Sequence, residues 1–234
     1  MWITGATVFS WISLFIIIAS KFMSPEKIYP YNSFMLKILF KLLFIKVEVI
    51  NAEEVDTSKA YIFMPNHNSL IDVFLAGAFI PVYVNALEAE SHFKWFFYGA
   101  TIKAYGQIPI SRSNPRSAIN SFNIAKERLE MGRSTIVFPE GHRSPDGKLK
   151  EFKKIPFRFA KESGVDIIPV GFSGVYDVSP EAHRWIRPRK ITVRFGKKIT
   201  AEQMKTMSAG ELMEVTRGKV YELVDDYKKE EVVV

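Results

Sequence analysis

The chain has 234 residues, a formal net charge of +7 and no cysteine. The lack of thiols excludes disulfides, thiolate-held metals and a cysteine nucleophile, and the basic balance favours anionic partners: a membrane surface, a phosphorylated substrate or a nucleic acid. With 47% hydrophobic residues, 19 of the chain being Phe, one globular domain with its own core and at most an appendage is expected.

Met1 to Ser20 carries no charged side chain. As a helix rising about 1.5 Å per residue, it could just cross a bilayer core of about 30 Å. No Lys or Arg precedes it, so it is a poor secretory signal. Thr4, Thr7, Ser10 and Ser13 recur every three residues beside Gly5 and Ala6, a small polar stripe suited to close helix contact in lipid. Ser24-Pro25 and Tyr29-Pro30 are expected to break the pattern. A second run, Ser33 to Ile45, is amphipathic, with Lys37 and Lys41 one turn apart and Lys46 just beyond. Up to residue 46 the lysines at 21, 27, 37, 41 and 46 face one acid, Glu26. Residues 1–45 therefore read as an N-terminal two-helix membrane-binding motif lodged in one leaflet, on an anionic cytoplasmic face. A single span is the main rival. An apolar helix pair packed on the domain is less favoured, because nearly every face of the first segment is apolar.

From Lys46 the texture becomes α/β. Val47–Ile50, Tyr61–Met64, Val82–Leu87, Gly106–Arg112, Thr135–Phe138, Asp166–Val170 and Lys190–Phe195 read as strands. Leu70–Phe79 and Ser91–Tyr105 read as helices, the second with a very aromatic face. Pro115 opens another helix and Gly132 closes it. Phe152–Ser163 is a helix stopped near Gly164. Thr200 and Ser208 look like N-caps, and Leu212 to Tyr227 carries a helical apolar stripe. The fold class is α/β: a mixed, largely parallel sheet flanked by helices, with residues 46–234 as one domain.

The best candidates for chemistry lie between the second strand and its helix, in Asn66-His67-Asn68-Ser69-Leu70-Ile71-Asp72. On a continuous helix, His67 and Asp72 would point about 140° apart. With His67 in the turn and Asp72 in the first helical turn, the carboxylate can hold one ring nitrogen and leave the other as a base. Ser69-x-x-Asp72 also reads as a capping box, a purely structural role. In open α/β sheets, sites form beyond the carboxyl ends of the strands. That rule brings His67, Arg112, Glu140, Gly141 and Arg143 to one rim. Two arginines there can grip a phosphate bidentately, Gly141 permits close backbone approach, and Lys148, Lys150, Lys153 and Lys154 add positive potential. No Walker loop, Rossmann glycine fingerprint, zinc motif or nucleophile elbow competes. His92, His142 and His183 lack metal-ligand spacing, and His92 and His183 are expected in ordinary loop or surface roles.

Four blocks in order resemble the glycerolipid acyltransferases of the 1-acylglycerol-3-phosphate O-acyltransferase (PlsC) type, over roughly Tyr61 to Val170. His67 and Asp72 match the family's His-x4-Asp. Gly106-Gln-Ile-Pro-Ile-Ser-Arg112 looks like its second block, Phe138-Pro-Glu-Gly-His-Arg-Ser144 its third and Ile168-Pro169-Val170 its last. His142 stands where Thr is usual, and Ile155 where Gly is common. The resemblance implies that His67 is the general base on the 2-hydroxyl of lysophosphatidate and Asp72 its orienting partner. It puts Arg112, Glu140, Gly141 and Arg143 in the acceptor site, with Lys103 and Lys153 as additional phosphate contacts. No metal or cofactor is implied. The acyl thioester, on acyl carrier protein or coenzyme A, is a co-substrate. A lysophospholipid with another head group, a silent membrane adaptor and a nucleic-acid binder are the alternatives; no nucleic-acid motif supports the last.

Overall fold

The computed structural model describes residues 2–111, 114–180 and 185–228. Its centre is set by two strands without a polar face. β2 (Ile62–Pro65) and β6 (Ile167–Ser173) are buried at every residue, as expected of strands covered on both sides. Five further strands complete the sheet: β1 (Lys46–Ile50), β3 (Val84–Ala89), β4 (Ile108–Ile110), β5 (Ser134–Ile136) and β7 (Lys190–Phe195), in the order β1-β7-β6-β2-β5-β3-β4. All pairs are parallel except β6 with β7. The sheet is thus mixed and largely parallel, and β2 to β6 end on one rim.

Alternation along β2 divides the core. Phe63 joins one apolar cluster, while Ile62 and Met64 join the other. The Phe63 side is covered by α1 (Trp2–Ala19), α2 (Pro25–Leu42), α3 (Ile71–Phe79) and the neighbourhood of α4 (Phe96–Ala104). The opposite side is covered by α5 (Pro115–Glu130), α6 (Lys154–Ser163) and α9 (Ala209–Leu223), with the short helices α7 (Val175–Val178) and α8 (Ala201–Thr206) between α6 and α9 in the chain. The helix ends follow local chemistry. Asn114 accepts from the N–H groups of Arg116 and Ser117, with Pro115 at the first position. Thr200 and Ser208 are N-caps, each closing a capping box, with Gln203 and Glu211 respectively. Gly164 stops α6 in the left-handed region.

Two expectations need correction. α2 starts at Pro25 and runs through Pro30: Pro25 sits at the first helical position, where its missing N–H costs nothing, and Pro30 forgoes the bond to the Glu26 carbonyl while Ile28, Leu36 and Phe40 hold the helix on the core. Ser91–Tyr105 is not one helix: a 3-10 turn over Glu90–Lys94 leads to extended Trp95, and α4 begins only at Phe96.

The N-terminal pair is built into the domain on one side and apolar on the other. Ile12, Ser13 and Ile16 of α1 are buried, as are Ile28, Leu36 and Phe40 of α2, in a cluster continuous with Phe63 and Ile168. Ser33 donates to the Ala78 carbonyl at 2.7 Å, and Tyr29 donates to that of Ile80. On the outer side, Trp11, Leu14 and Ile18 of α1 and Tyr31, Phe34, Ile38 and Leu42 of α2 are exposed. Of the small polar stripe, Ser13 faces inward, while Thr7 and Ser10 donate to carbonyls of their own helix. Among the described residues, no helix is long and apolar enough to cross a membrane.

Candidate active site

The turn after β2 is fastened before it is functional. The Asn66 amide accepts from the Phe172 N–H at 2.7 Å and donates to the Phe172 carbonyl at 3.0 Å, locking the end of β2 to β6. It also donates to the Tyr227 hydroxyl at 3.3 Å, which reaches in from α10 (Asp225–Lys228). The Ser69 hydroxyl donates to the Ser179 carbonyl at 2.7 Å. These ties hold His67 out of the helix and put Asp72 in the first turn of α3.

Asp72 is fully buried. Its Oδ2 accepts the His67 Nδ1–H at 2.8 Å and the N–H groups of Asn68 and Ser69 at 2.7 and 2.8 Å. The capping and catalytic readings therefore share one oxygen. Only half of the capping box forms, the acid reaching back to the Ser69 N–H. That network assigns the proton to Nδ1 and leaves Nε2 with its lone pair as the base edge. The imidazole stacks on Phe138, ring centres 4.1 Å apart, and its side chain is 12% exposed. Phe138 also lines an apolar cavity of about 100 Å³ with Phe9, Leu36, Phe74, Tyr98 and Ile136. The base thus stacks on a ring that also lines an apolar recess.

Glu140, 1% exposed, does not reach outward. Oε1 accepts the His67 N–H at 2.7 Å and Oε2 the Lys150 N–H at 3.0 Å, while the His67 carbonyl accepts from the Ser144 N–H at 2.7 Å. The 138–144 block clamps the backbone of His67 from both sides, so Glu140 fixes where His67 stands. Burial pushes its carboxyl up to about 7; the Asp72 charge adds to this, and the two N–H groups oppose it. The folded protein then holds a proton that the unfolded chain releases near 4.5. Stability from this group is fully present below about 4.5, falls as pH rises towards 7, and is flat above. The Tm of the wild type minus that of Glu140→Gln should therefore be larger at about pH 5 than at about pH 8. Calorimetry across that range checks it, and a difference independent of pH would refute it.

The other expected site residues divide. Gly141 has φ +76°, and a Cβ there would lie 3.6 Å from the Lys153 side chain; the Lys153 N–H donates to the Pro139 carbonyl at 2.8 Å. Gly141, half-buried Arg143 and exposed Lys153 therefore lie together at this loop. Lys103 is exposed on the last turn of α4. Arg112 and His183 lie outside the described residues. Ser111, just before Arg112, donates to Glu90 Oε1 at 3.1 Å.

Sequence reasoning missed the part played by Phe138, which falls just beyond β5 and is the platform under the base. His92, expected in a loop or surface role, sits in the 3-10 turn with its Nδ1 meeting Glu88 Oε1 and its ring 4.5 Å from that of Trp95. Among the described residues no group of three or more His, Asp or Glu could hold a metal ion.

The profile of the acyltransferase family matches residues 46–173. A chloroplastic 1-acyl-sn-glycerol-3-phosphate acyltransferase of Arabidopsis thaliana is 28% identical over 147 residues, 58% of this chain and 38% of that protein. The enzyme of that name from Saccharomyces cerevisiae is 30% identical over 192 residues, 80% of this chain and 62% of that protein. The matched part thus spans less than two thirds of these relatives. The crystal structure of the 1-acyl-sn-glycerophosphate acyltransferase PlsC from Thermotoga maritima superposes with a TM-score of 0.82 at 25% identity, covering 98% of this chain and 92% of that one.

Proposed function

The chain belongs to the acyltransferase family, and on that premise we propose that it transfers a fatty acyl group from an acyl thioester to the 2-hydroxyl of lysophosphatidate, giving phosphatidate in phospholipid biosynthesis. The observation that carries the reading is the His67–Asp72 contact of 2.8 Å on the strand rim, with the imidazole stacked on Phe138, a residue that lines an apolar recess. The relatives' names point to the same acceptor.

His67 Nε2 takes the proton of the 2-hydroxyl as its oxygen attacks the thioester carbonyl. The tetrahedral oxyanion collapses, the carbon–sulfur bond breaks, and the imidazolium returns its proton to the leaving thiolate. Asp72 stays ionised and stabilises the imidazolium. Acyl transfer of this kind asks for no cofactor. Arg112 and Arg143 hold the acceptor phosphate, with Gly141 giving backbone access and Lys103 and Lys153 adding charge. The donor is acyl carrier protein or coenzyme A; both are acidic and suit a chain of net charge +7. Residues 1–45 are the membrane-facing part and residues 46–234 the catalytic part, at an anionic cytoplasmic leaflet. The exposed apolar outer face of α1 and α2 supports this.

The test is acyl transfer from labelled thioesters in mixed micelles, with lysophosphatidate and lysophosphatidylcholine as parallel acceptors. Phosphatidate formed from lysophosphatidate alone is expected. Transfer only to lysophosphatidylcholine would reassign the acceptor, and none with either donor would favour the silent adaptor. Arg112→Ala should raise the acceptor KM about 10–100-fold, the worth of a charged hydrogen-bond pair, and the donor KM much less. Equal effects on both would make Arg112 structural.

A further inference from the structure

Phe44 is out of place for its backbone. α2 closes with the Phe44 N–H donating to the Lys41 carbonyl at 3.0 Å and the Ile45 N–H to that of Phe40 at 3.0 Å. In this helix ending, the residue after the cap adopts the left-handed conformation and is usually Gly. Here it is Phe, at φ +53°, where a bulky side chain is strained. The ring does not repay the strain by packing, because Phe44 is 80% exposed. Strain kept at an exposed aromatic residue points to a use outside the fold.

The surroundings say what that use is. Phe40, Phe44 and Phe79 line an open groove of about 510 Å³ together with Lys37, Lys41 and Lys46. All three lysines are exposed, and Lys37 Nζ stands 5.7 Å over the Phe79 ring. The nearby acid, Glu48, is paired with Lys190 at 2.7 Å. The exposed stripe Tyr31, Phe34, Ile38 and Leu42 runs along α2 towards Phe44, and Lys37 and Lys41 flank it, one turn apart. Phe79 is the last residue of α3, about 10 Å along the axis from Asp72, so the groove is separate from the His67 site.

We propose that this groove seats one anionic phospholipid of the bilayer surface, its phosphate among Lys37, Lys41 and Lys46 and its acyl chains against Phe44 and Phe40. The proposal rests on the membrane-facing reading of residues 1–45 and adds a discrete head-group site to it. Net positive charge selects the anionic head group, and Phe44, prised outward by its backbone, supplies apolar area that binds only once lipid is present.

The test uses the full chain, floated with phosphatidylcholine vesicles with and without phosphatidylglycerol, beside thermal melts. Phe44→Gly should raise Tm by about 2–4 °C by relieving the strain and weaken binding to both vesicle types about tenfold, the worth of a buried phenyl ring. Phe44→Trp should keep the binding. Replacing the three lysines with Gln should leave Tm unchanged and lower binding to the anionic vesicles to the neutral level, about fivefold per lysine. Wild-type binding by Phe44→Gly overturns the proposal, and so does a lowered Tm, which would make the ring part of the fold. If the wild type floats with neither vesicle, the membrane-facing reading fails and takes the site with it. Acyl transfer in detergent micelles is independent of this site, so normal turnover by Phe44→Gly there separates its failure from that of the enzymatic reading.

Discussion

His67→Ala is expected to lower kcat by about 10²–10⁴-fold, the usual share of a general base, while Tm and both KM values stay near those of the wild type. The fold is insulated from the loss. The His67 backbone keeps its N–H on Glu140 and its carbonyl on Ser144, and neither bond uses the ring. Asp72 Oδ2 keeps the two backbone donors from Asn68 and Ser69. Phe138 loses the stacked imidazole, but the ring's place lies at the rim, where water can enter. Chemistry has no comparable substitute. Without the ring, the 2-hydroxyl must lose its proton to water in the transition state, and the leaving thiolate must find a proton elsewhere. Single-turnover rates with each thioester, beside a melting curve, make the measurement. A rate within a few-fold of wild type would remove His67 from the mechanism, and an equal fall in Tm would make the residue structural.

How much of this was legible follows from the range of each interaction. The strands were readable because runs such as Tyr61–Met64 and Asp166–Val170 are apolar, short and bounded by turns, and strands buried on both faces have that texture. The caps at Thr200 and Ser208 act within three residues, so their signatures sit in the local sequence. Pro30 misled because an interior proline usually ends a helix, whereas here the packing of Ile28, Leu36 and Phe40 on the core carries α2 through it. The direction of the Glu140 carboxylate was not legible, because sequence does not show which way a loop side chain points. Its partners, the N–H groups of His67 and Lys150, meet it only after β2 and β5 pair. The inner and outer faces of α1 are both apolar, so composition alone could not say that Ile12 and Ile16 would face the core of the domain while Trp11 and Ile18 face away. The His67–Asp72 pair was legible as a possibility, and its spacing allowed a cap equally well.

Asp72→Asn separates those two roles, and the expected result is a loss of kcat of about 10²–10⁴-fold with a fall in Tm of only a few degrees. Asp72 lies inside the first turn of α3, and the turn needs from it one side-chain oxygen that accepts the Asn68 and Ser69 N–H groups. The Asn amide oxygen, placed where Oδ2 stands, can accept from Asn68, Ser69 and the His67 Nδ1–H. The backbone turn then survives. The amide nitrogen falls where Oδ1 stands, a buried position with no hydrogen-bond partner among the described residues, which accounts for about 1–3 kcal/mol. If the amide flips instead, its N–H groups face the imidazole and force the proton onto Nε2, which destroys the base outright. In either orientation the negative charge that stabilises the imidazolium is gone. Asp72→Ala should be worse for the fold, since it strands the buried N–H groups of Asn68 and Ser69 at about 1–3 kcal/mol each. The informative comparison is therefore between the two variants: Asn should nearly match wild type in Tm and nearly match Ala in rate. Near-wild-type turnover by Asp72→Asn would mean that the carboxylate only caps α3, and His67 would then need another source of orientation.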